Sequence, residues 1–523
     1  MKGHQGKGIR HMLNTVRTPL YRLIILLNAW CLFQLPAVAM DRDTTADISL
    51  LNHYFYRLMQ RADTMAPAKG FSSNFQPLSI RESKALFRKN DLPAFLKTRA
   101  ERYYEDESAE EKIETFSIRP LTELHLAAVY SEKEDAPLTN AFGAEMDGHT
   151  YGSAIAGGEA YLKDAAVFSY NIRLSNDGDV DTVDLFRCQL KTGFDHIAVA
   201  LTKDNIVTGP GYFGSLMQSR NVQPENSVVF KTEVPYDWGV LGAFRWYAWH
   251  TWFDDDERLN RDPRLLGARI SLAPWDVLEV GFTRTALYGG SENAAYDSLD
   301  AYWEMFTGIN ENEPDNPYNS QQQASFDLAL YLPFLRDFTP FAGGKIYLEY
   351  AFTDIKAFWQ SEDRGSGVVF TPLSVSYLAG MTLTTGKTDF VLEYLQTSRN
   401  AYTSGGSGFS DGYTDNGYII GHFAGGNCIG TMGEIYHELF ERLHVDLSLG
   451  YFSHRSFAEK EYRIEKIAGA GLTFFLKDSL CIRLMGTYQH SDKTDIDPSP
   501  IRSAFIDEAE SNTMLHFRLD YNF

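Results

Sequence analysis

Beyond its first forty residues the chain lacks any apolar run approaching the ~20 residues that a membrane-spanning helix needs. Its mean hydropathy of −0.29 is of the kind found in soluble proteins. Basic residues are in deficit: 48 Lys and Arg stand against 69 Asp and Glu, a net charge of −21. That balance argues against nucleic acid as a partner, since phosphate binding needs a basic surface. Cysteine is scarce. Past Cys31 there remain Cys188, Cys428 and Cys481, an odd number without Cys-x-x-C spacing, which argues against a disulfide framework. Cys188 and Cys481 read as strand residues and Cys428 as a loop residue. No G-x-S-x-G elbow, H-E-x-x-H or Walker loop is present. Ser453-His454 and His490-Ser491 stand near strand ends, but adjacent residues point to opposite faces of a strand, so neither dipeptide forms a nucleophile–base couple by itself. No catalytic residue, cofactor or metal is expected, and the chain reads as a non-enzyme.

What is present begins with an export signal. Lys2, Lys7, Arg10, Arg17 and Arg22 precede the apolar run Leu23–Leu35, and Ala37-Val38-Ala39 supplies small residues for cleavage. Residues 1–39 are therefore expected to be removed, and losing five basic residues leaves 43 against 69, a net charge of −26. Aromatic residues make up 14% of the chain. That suits a membrane barrel, which hides its lipid face in alternation and places aromatic rings at both interfaces.

The C-terminus carries the sharpest pattern. Leu515, Phe517, Leu519, Tyr521 and Phe523 alternate with His516, Arg518, Asp520 and Asn522. Side chains change face at every residue of a strand, so one face is apolar and the other polar. Val445, Leu447, Leu449 and Tyr451 repeat the pattern against His444, Asp446, Ser448 and Gly450. So do Phe326, Leu328, Leu330 and Leu332 against Asp327 and Tyr331, and Leu278, Val280 and Phe282 against Glu279 and Thr283. Connections also take turns. Long ones fall near 131–148, 204–225, 254–263, 288–323, 351–372, 399–432, 455–463 and 491–512, with compact turns between them. Only the 176–181 connection is short where a long loop is allowed. Long outer loops alternating with short periplasmic turns define an outer-membrane barrel. The expectation is an all-β transmembrane β-barrel of about eighteen antiparallel strands within residues 113–523, closed without free edges.

Residues 40–112 differ. Ile48, Leu51, Phe55 and Leu58 recur at helical spacing. Ser79-Ile80-Arg81-Glu82 has capping-box form, and Asp91 before Leu92-Pro93 suggests a third helix running to about Tyr104. This small α-helical region lies on the periplasmic side or plugs the barrel. Ala294–Phe306 reads as a helix within a long outer loop. Lumenal groups such as Glu279, Asp446, Arg483, Arg518 and Asp520 line a channel or fill a closed interior as paired charges; the available plug favours the second.

Several segments carry a resemblance. They are Thr208-Gly209-Pro210-Gly211-Tyr212 with Ser215-Leu216 and Arg220-Asn221, then Gln323–Leu328, Gly343–Ala351, and Asn416–His422 with Gly425-Gly426-Asn427. In this order they resemble the capsule assembly Wzi family, over most of the chain from about residue 75. Val207-Thr208 stands where that family often has tryptophan before Gly-Pro, and Gly425-Gly426-Asn427 replaces a commoner Gly-Asp sequence. The resemblance implies an outer-membrane surface lectin that binds capsular or extracellular polysaccharide, and the chain is expected to be a monomer. Its other partners would be outer-membrane lipid and the barrel-assembly machinery. The rival reading is a porin or substrate-diffusion channel.

Sugar sites combine apolar surface with a few oriented polar groups. Candidate carbohydrate-binding residues are Tyr212, Arg220 and Asn221 in one loop and Tyr413, Tyr418 and His422 in another. Arg220 can pair a uronic-acid carboxylate through its fork-shaped guanidinium. The alternative role for the tyrosines is to pack loops over the barrel mouth, with Gly417, Gly421 and Gly425 serving turns. Asp254-Asp255-Asp256-Glu257 lacks the spacing of a calcium loop and is read as a solvated acidic stretch.

Overall fold

The computed structural model describes residues 44–522 apart from 89–91, 102–115, 135, 145, 147, 164, 177–180, 256–257, 292, 294–297, 308–319, 360–367, 404–410, 456–461, 478 and 493–510. The leader, Asp91, Tyr104, Asp256, Glu257 and Phe523 lie outside the described residues.

Eighteen antiparallel strands form a closed barrel, from Ser117–Ser131 to Ser511–Asn522. Each pairs with its neighbours in sequence, and the last pairs with the first, Glu123 opposite Asn522 and Ser131 opposite Met514. Closure leaves no edge whose amide and carbonyl groups lack partners, a requirement in lipid. The alternation read from sequence faces the expected way. Leu515 and Phe517 are exposed, as are Leu447, Leu449 and Tyr451, whereas Asp327, Glu279, Glu349, Asp389 and Asp446 are all buried. Oily outside and charged inside inverts the arrangement of a soluble protein, as a sheet between lipid and a polar lumen must.

Two expectations about connections need correction. Residues 351–372 are mostly strand: Gly343–Trp359 pairs with Val368–Thr384 out to Trp359 opposite Val368. Seventeen residues at ~3.3 Å each far exceed the nine to eleven that cross a bilayer. The hairpin therefore extends past the lipid, where no apolar face enforces alternation and Asp354, Lys356 and Pro372 disguise it. Cys428 opens a strand, Cys428–Phe440, and is buried there. The short 176–181 connection, between strands ending at Asn176 and starting at Asp181, is as expected.

Among the described residues three helices precede the barrel strands: α1, His53–Met65; α2, Ile80–Phe87; and α3, Ala94–Glu101. Ile48 and Leu51 lie before α1, not within it, although they join Phe55 and Leu58 in one apolar cluster. Asn52 does not cap α1; its amide reaches the wall and donates to Glu123 at 3.0 Å. Ser79 and Glu82 form the complete capping box of α2. A fourth helix, α4, spans Leu299–Thr307 in the long loop, starting later than the sequence pattern suggested.

Candidate functional site

The helical segment lies inside the barrel at its short-turn end. Arg61 donates to Asp389 at 2.7 Å and pairs with Glu438, while Arg99 pairs with Glu438 at 2.8 Å; both acids sit beside the 385–388 and 441–442 turns. Asp47 receives Lys191 at 2.6 Å and Lys231 at 2.7 Å, and Glu82 pairs with Arg245. Burial opposes the charge on Asp47, yet the two lysines hold its carboxyl below the usual carboxylate range. These pairs join plug to wall, and although Glu233 beside the wall also pairs with Lys191, the buried acids and bases are fully matched only when the two are docked.

At the other end the outer loops fold into the lumen. The 204–225 connection dips deepest: Val207-Thr208 pairs with Phe75-Gln76 of the plug segment, and Gly209 N–H donates to the Asn74 carbonyl at 2.9 Å. Two strand acids hold this loop. Glu349 accepts from Ser215 Oγ at 3.1 Å and Leu216 N–H at 3.0 Å, and Glu393 accepts from the Tyr212 and Phe213 amides and from Tyr347 Oη. Gly209 has φ +90° with Glu349 close by; a Cβ there would stand 3.0 Å from the Glu349 carboxylate. Only glycine fits this backbone path. Inward acids were visible in the strand pattern, but their service to a loop over a hundred residues away was not.

The 397–427 connection packs over it. Asn416-Gly417, both with positive φ, form a tight hairpin turn between Thr414-Asp415 and Tyr418-Ile419. Tyr413 is fully buried and donates to Thr285 Oγ1 at 3.0 Å, and Tyr418 Oη lies 3.4 Å from the Ala144 carbonyl. Asn221 donates to the Ile419 carbonyl at 3.1 Å. His422 is buried, its Nδ1 accepting from Ala424 N–H at 3.2 Å, and burial lowers its pKa to about 3. Tyr212 Oη donates to Glu434 at 2.7 Å. These side chains tie the loops to one another and to the wall. Four of the six candidates, Asn221, Tyr413, Tyr418 and His422, are buried in that role.

Arg220 is placed differently. It is half-buried and lines a lumenal cavity of about 430 Å³, with Phe142, Phe213, Phe423, Arg483 and Arg518 among the other walls. One exposed aromatic also escaped the sequence reading: Trp303, on the outer helix α4, is 65% exposed. A helical pattern predicts which residues turn inward, and Trp303 lies off that face. Among the described residues no group of three His, Cys, Asp or Glu converges as metal ligands. Asp255 of the acidic run instead accepts from Asn416 N–H at 2.6 Å.

The family model for the capsule assembly protein Wzi matches residues 128–503, well over half of the 523-residue chain. Among solved structures the chain is similar to Escherichia coli Wzi, an outer membrane protein involved in group 1 capsule assembly and a carbohydrate-binding β-barrel. That likeness covers 91% of this chain and 98% of that one, at 13% identity and a TM-score of 0.64, and shows the shared fold. Pseudomonas aeruginosa OpdO is similar over 79% of this chain and 98% of its own, at 12% identity and a TM-score of 0.48, too low to carry an argument. A search of curated proteins by sequence finds no match. A closed barrel with an oily exterior, helices in its lumen and this family match are those of an outer-membrane protein, and the chain belongs to the capsule assembly protein Wzi family.

Proposed function

We propose that this protein is a non-catalytic lectin of the outer membrane, binding capsular or extracellular polysaccharide and holding it at the cell surface. One observation carries the reading beyond family membership. Both ends of the lumen are occupied by buried, bonded protein, the α1 region at one and the 205–222 and 413–424 segments at the other. A filled barrel offers a surface and an internal cavity rather than a passage, which disfavours the diffusion channel. Trp303 on α4 supplies an exposed ring of the kind that stacks on a pyranose face. The same reading includes cleavage after Ala39, delivery to the barrel-assembly machinery, and action as a monomer. Residues 40–112 serve as the plug region and 113–523 as the barrel.

The test is genetic deletion with polysaccharide measured in the cell and medium fractions. The expected result is unchanged synthesis and export, with the polymer shed. Retention equal to wild type would overturn the proposal. Trp303→Ala should weaken binding of the purified protein to the host polysaccharide several-fold without altering barrel folding.

A further inference from the structure

The cavity beside Arg220 lies between the plug and the folded-in loops, against the first four strands and the last five. Leu51 and His53 form its plug side, and Leu138 and Phe142 belong to the outer loop that covers it. Four guanidinium groups line it. Three are neutralised: Arg173 by Asp184 at 3.0 Å, Arg483 by Asp446 at 3.0 Å, and Arg518 by Asp520 at 2.6 Å. The carboxylate of Glu434, also at the wall, is taken by Arg57 and the Tyr212 hydroxyl.

Arg220 has no such partner. Among the described residues no carboxylate lies within 4.0 Å of it; its Nη1 stands 3.1 Å from His53 Nδ1. Arginine only donates, so His53 must accept there, which requires the neutral imidazole with its proton on Nε2. The surroundings enforce that form: burial, then Arg518, Arg220 and Arg483, push the His53 pKa well below its usual value. Lys345, another lumenal cation with no carboxylate at ion-pair distance among the described residues, gives its protons to the Asn74 side-chain oxygen at 2.9 Å and the Pro210 carbonyl at 3.3 Å, whereas Arg220 leaves a planar, five-donor cation facing an open space. A half-buried charge without a counter-ion gives up part of its hydration, and an anion arriving in the cavity would offset that loss.

The remaining walls say what that something is. Phe142, Phe213 and Phe423 provide flat apolar surface, while Ser153, Thr487 and Gln489 provide hydroxyl and amide groups. A fatty chain would leave the polar groups unmet, and a bare inorganic anion would leave the rings unused. The volume falls within the 300–1,000 Å³ range typical of small-ligand pockets. We propose that this cavity takes one carboxylate-bearing pyranose, a hexuronate unit of an acidic polysaccharide, with its carboxylate paired to the Arg220 fork. The inference rests on the lectin reading and adds to it a site and a chemical class.

Calorimetric titration of the full-length protein in detergent, using a glucuronate-containing tetrasaccharide and a neutral tetrasaccharide, tests it. The acidic sugar should bind about tenfold more tightly or better, the expected worth of one charge-assisted bidentate pair. Arg220→Gln should erase that preference, and Arg220→Lys should restore part of it. Leu138→Trp, which fills the cavity without touching the charge, should also abolish acidic-sugar binding. Heat-modifiable gel migration verifies that each variant remains a folded barrel. Equal binding of the two sugars, unmoved by Arg220→Gln, would overturn the inference and leave the lectin standing. Failure of both sugars to bind would overturn the lectin reading itself. Inorganic phosphate or acetate binding as tightly as the glucuronate sugar would overturn the assignment to a sugar.

Discussion

The two ends of the lumen are closed by different physics. At the short-turn end, α1, α2 and the segment before them meet the wall through buried ion pairs: Arg61 with Asp389 and Glu438, Asp47 with Lys191 and Lys231, and Glu82 with Arg245. At the outer end, the loops hold one another mainly through aromatic packing and neutral bonds. Tyr402 Oη donates to the Leu216 carbonyl at 2.9 Å, Tyr413 to Thr285, and Ser219 Oγ to the Gly421 carbonyl at 2.6 Å. A buried ion pair is expensive to break but gives little net stability, so it specifies one docked position. Neutral contacts are individually weaker and yield gradually. The difference teaches that the plug is built to stay in place, whereas the outer lid can rearrange around what reaches it.

The largest break is expected from Arg61→Ala. It leaves Asp389 and Glu438 short of a cation in a buried site, a loss of roughly 3–5 kcal/mol in docking. Current across planar bilayers should change from closed to intermittent openings, and proteases should reach residues 44–101 faster. A current trace identical to wild type would show that the pairs do not hold the plug.

Next comes Gly421→Ala on the lid. Its Cβ would meet the Tyr402 ring at 2.5 Å and the Leu216 carbonyl at 2.6 Å. Overpacking of this kind costs about 1–3 kcal/mol. Hydrogen exchange should accelerate across 411–425 and not in α1, and acceleration in both would dissolve the distinction between the two ends. Tyr413→Phe removes one hydrogen bond, about 1 kcal/mol. It should raise exchange locally while leaving conductance unchanged.

A further effect is one of pH, and it separates the ends by sign. Burial and then the neighbouring Asp255 raise the Asp415 pKa from 3.8 to about 7. The native lid therefore keeps a proton that the unfolded chain releases, so its stabilisation is complete below about pH 4 and is lost as pH rises toward and past 7. Asp47 at the plug is displaced the other way, so its contribution is present above about pH 4 and is lost only in acid. Between pH 5 and 8, protection of lid amides relative to their intrinsic exchange rate should fall while protection around Asp47 stays level. Asp415→Asn should flatten the lid response.

The legible parts of this molecule are those governed by short-range periodicity. The period-two alternation of Leu515 to Tyr521 reports lipid on one side and polar lumen on the other, because each residue's face depends only on its neighbours' parity. The Ser79–Glu82 capping box and the Asn416-Gly417 turn are equally local. The hairpin at 343–384 is illegible in the sequence where it leaves the membrane and loses the constraint that writes the pattern. Candidate sites were less legible. Tyr413 and Tyr418 have the same sequence signature whether a tyrosine greets a ligand or fills a lid, and their burial among the folded-in loops came only with the structure.

By itself the sequence determined an all-β barrel, its approximate strand number, its inside and outside, and a helical segment ahead of it. Those properties follow from residue type and spacing along a few consecutive positions. Only the tertiary structure decided that the outer loops turn inward, that Glu349 and Glu393 anchor one of them, and that Arg220 alone among the four arginines lining the cavity has no carboxylate beside it among the described residues. Each of those facts depends on groups brought together from distant strands, and charge balance inside a barrel is a property of the closed sheet.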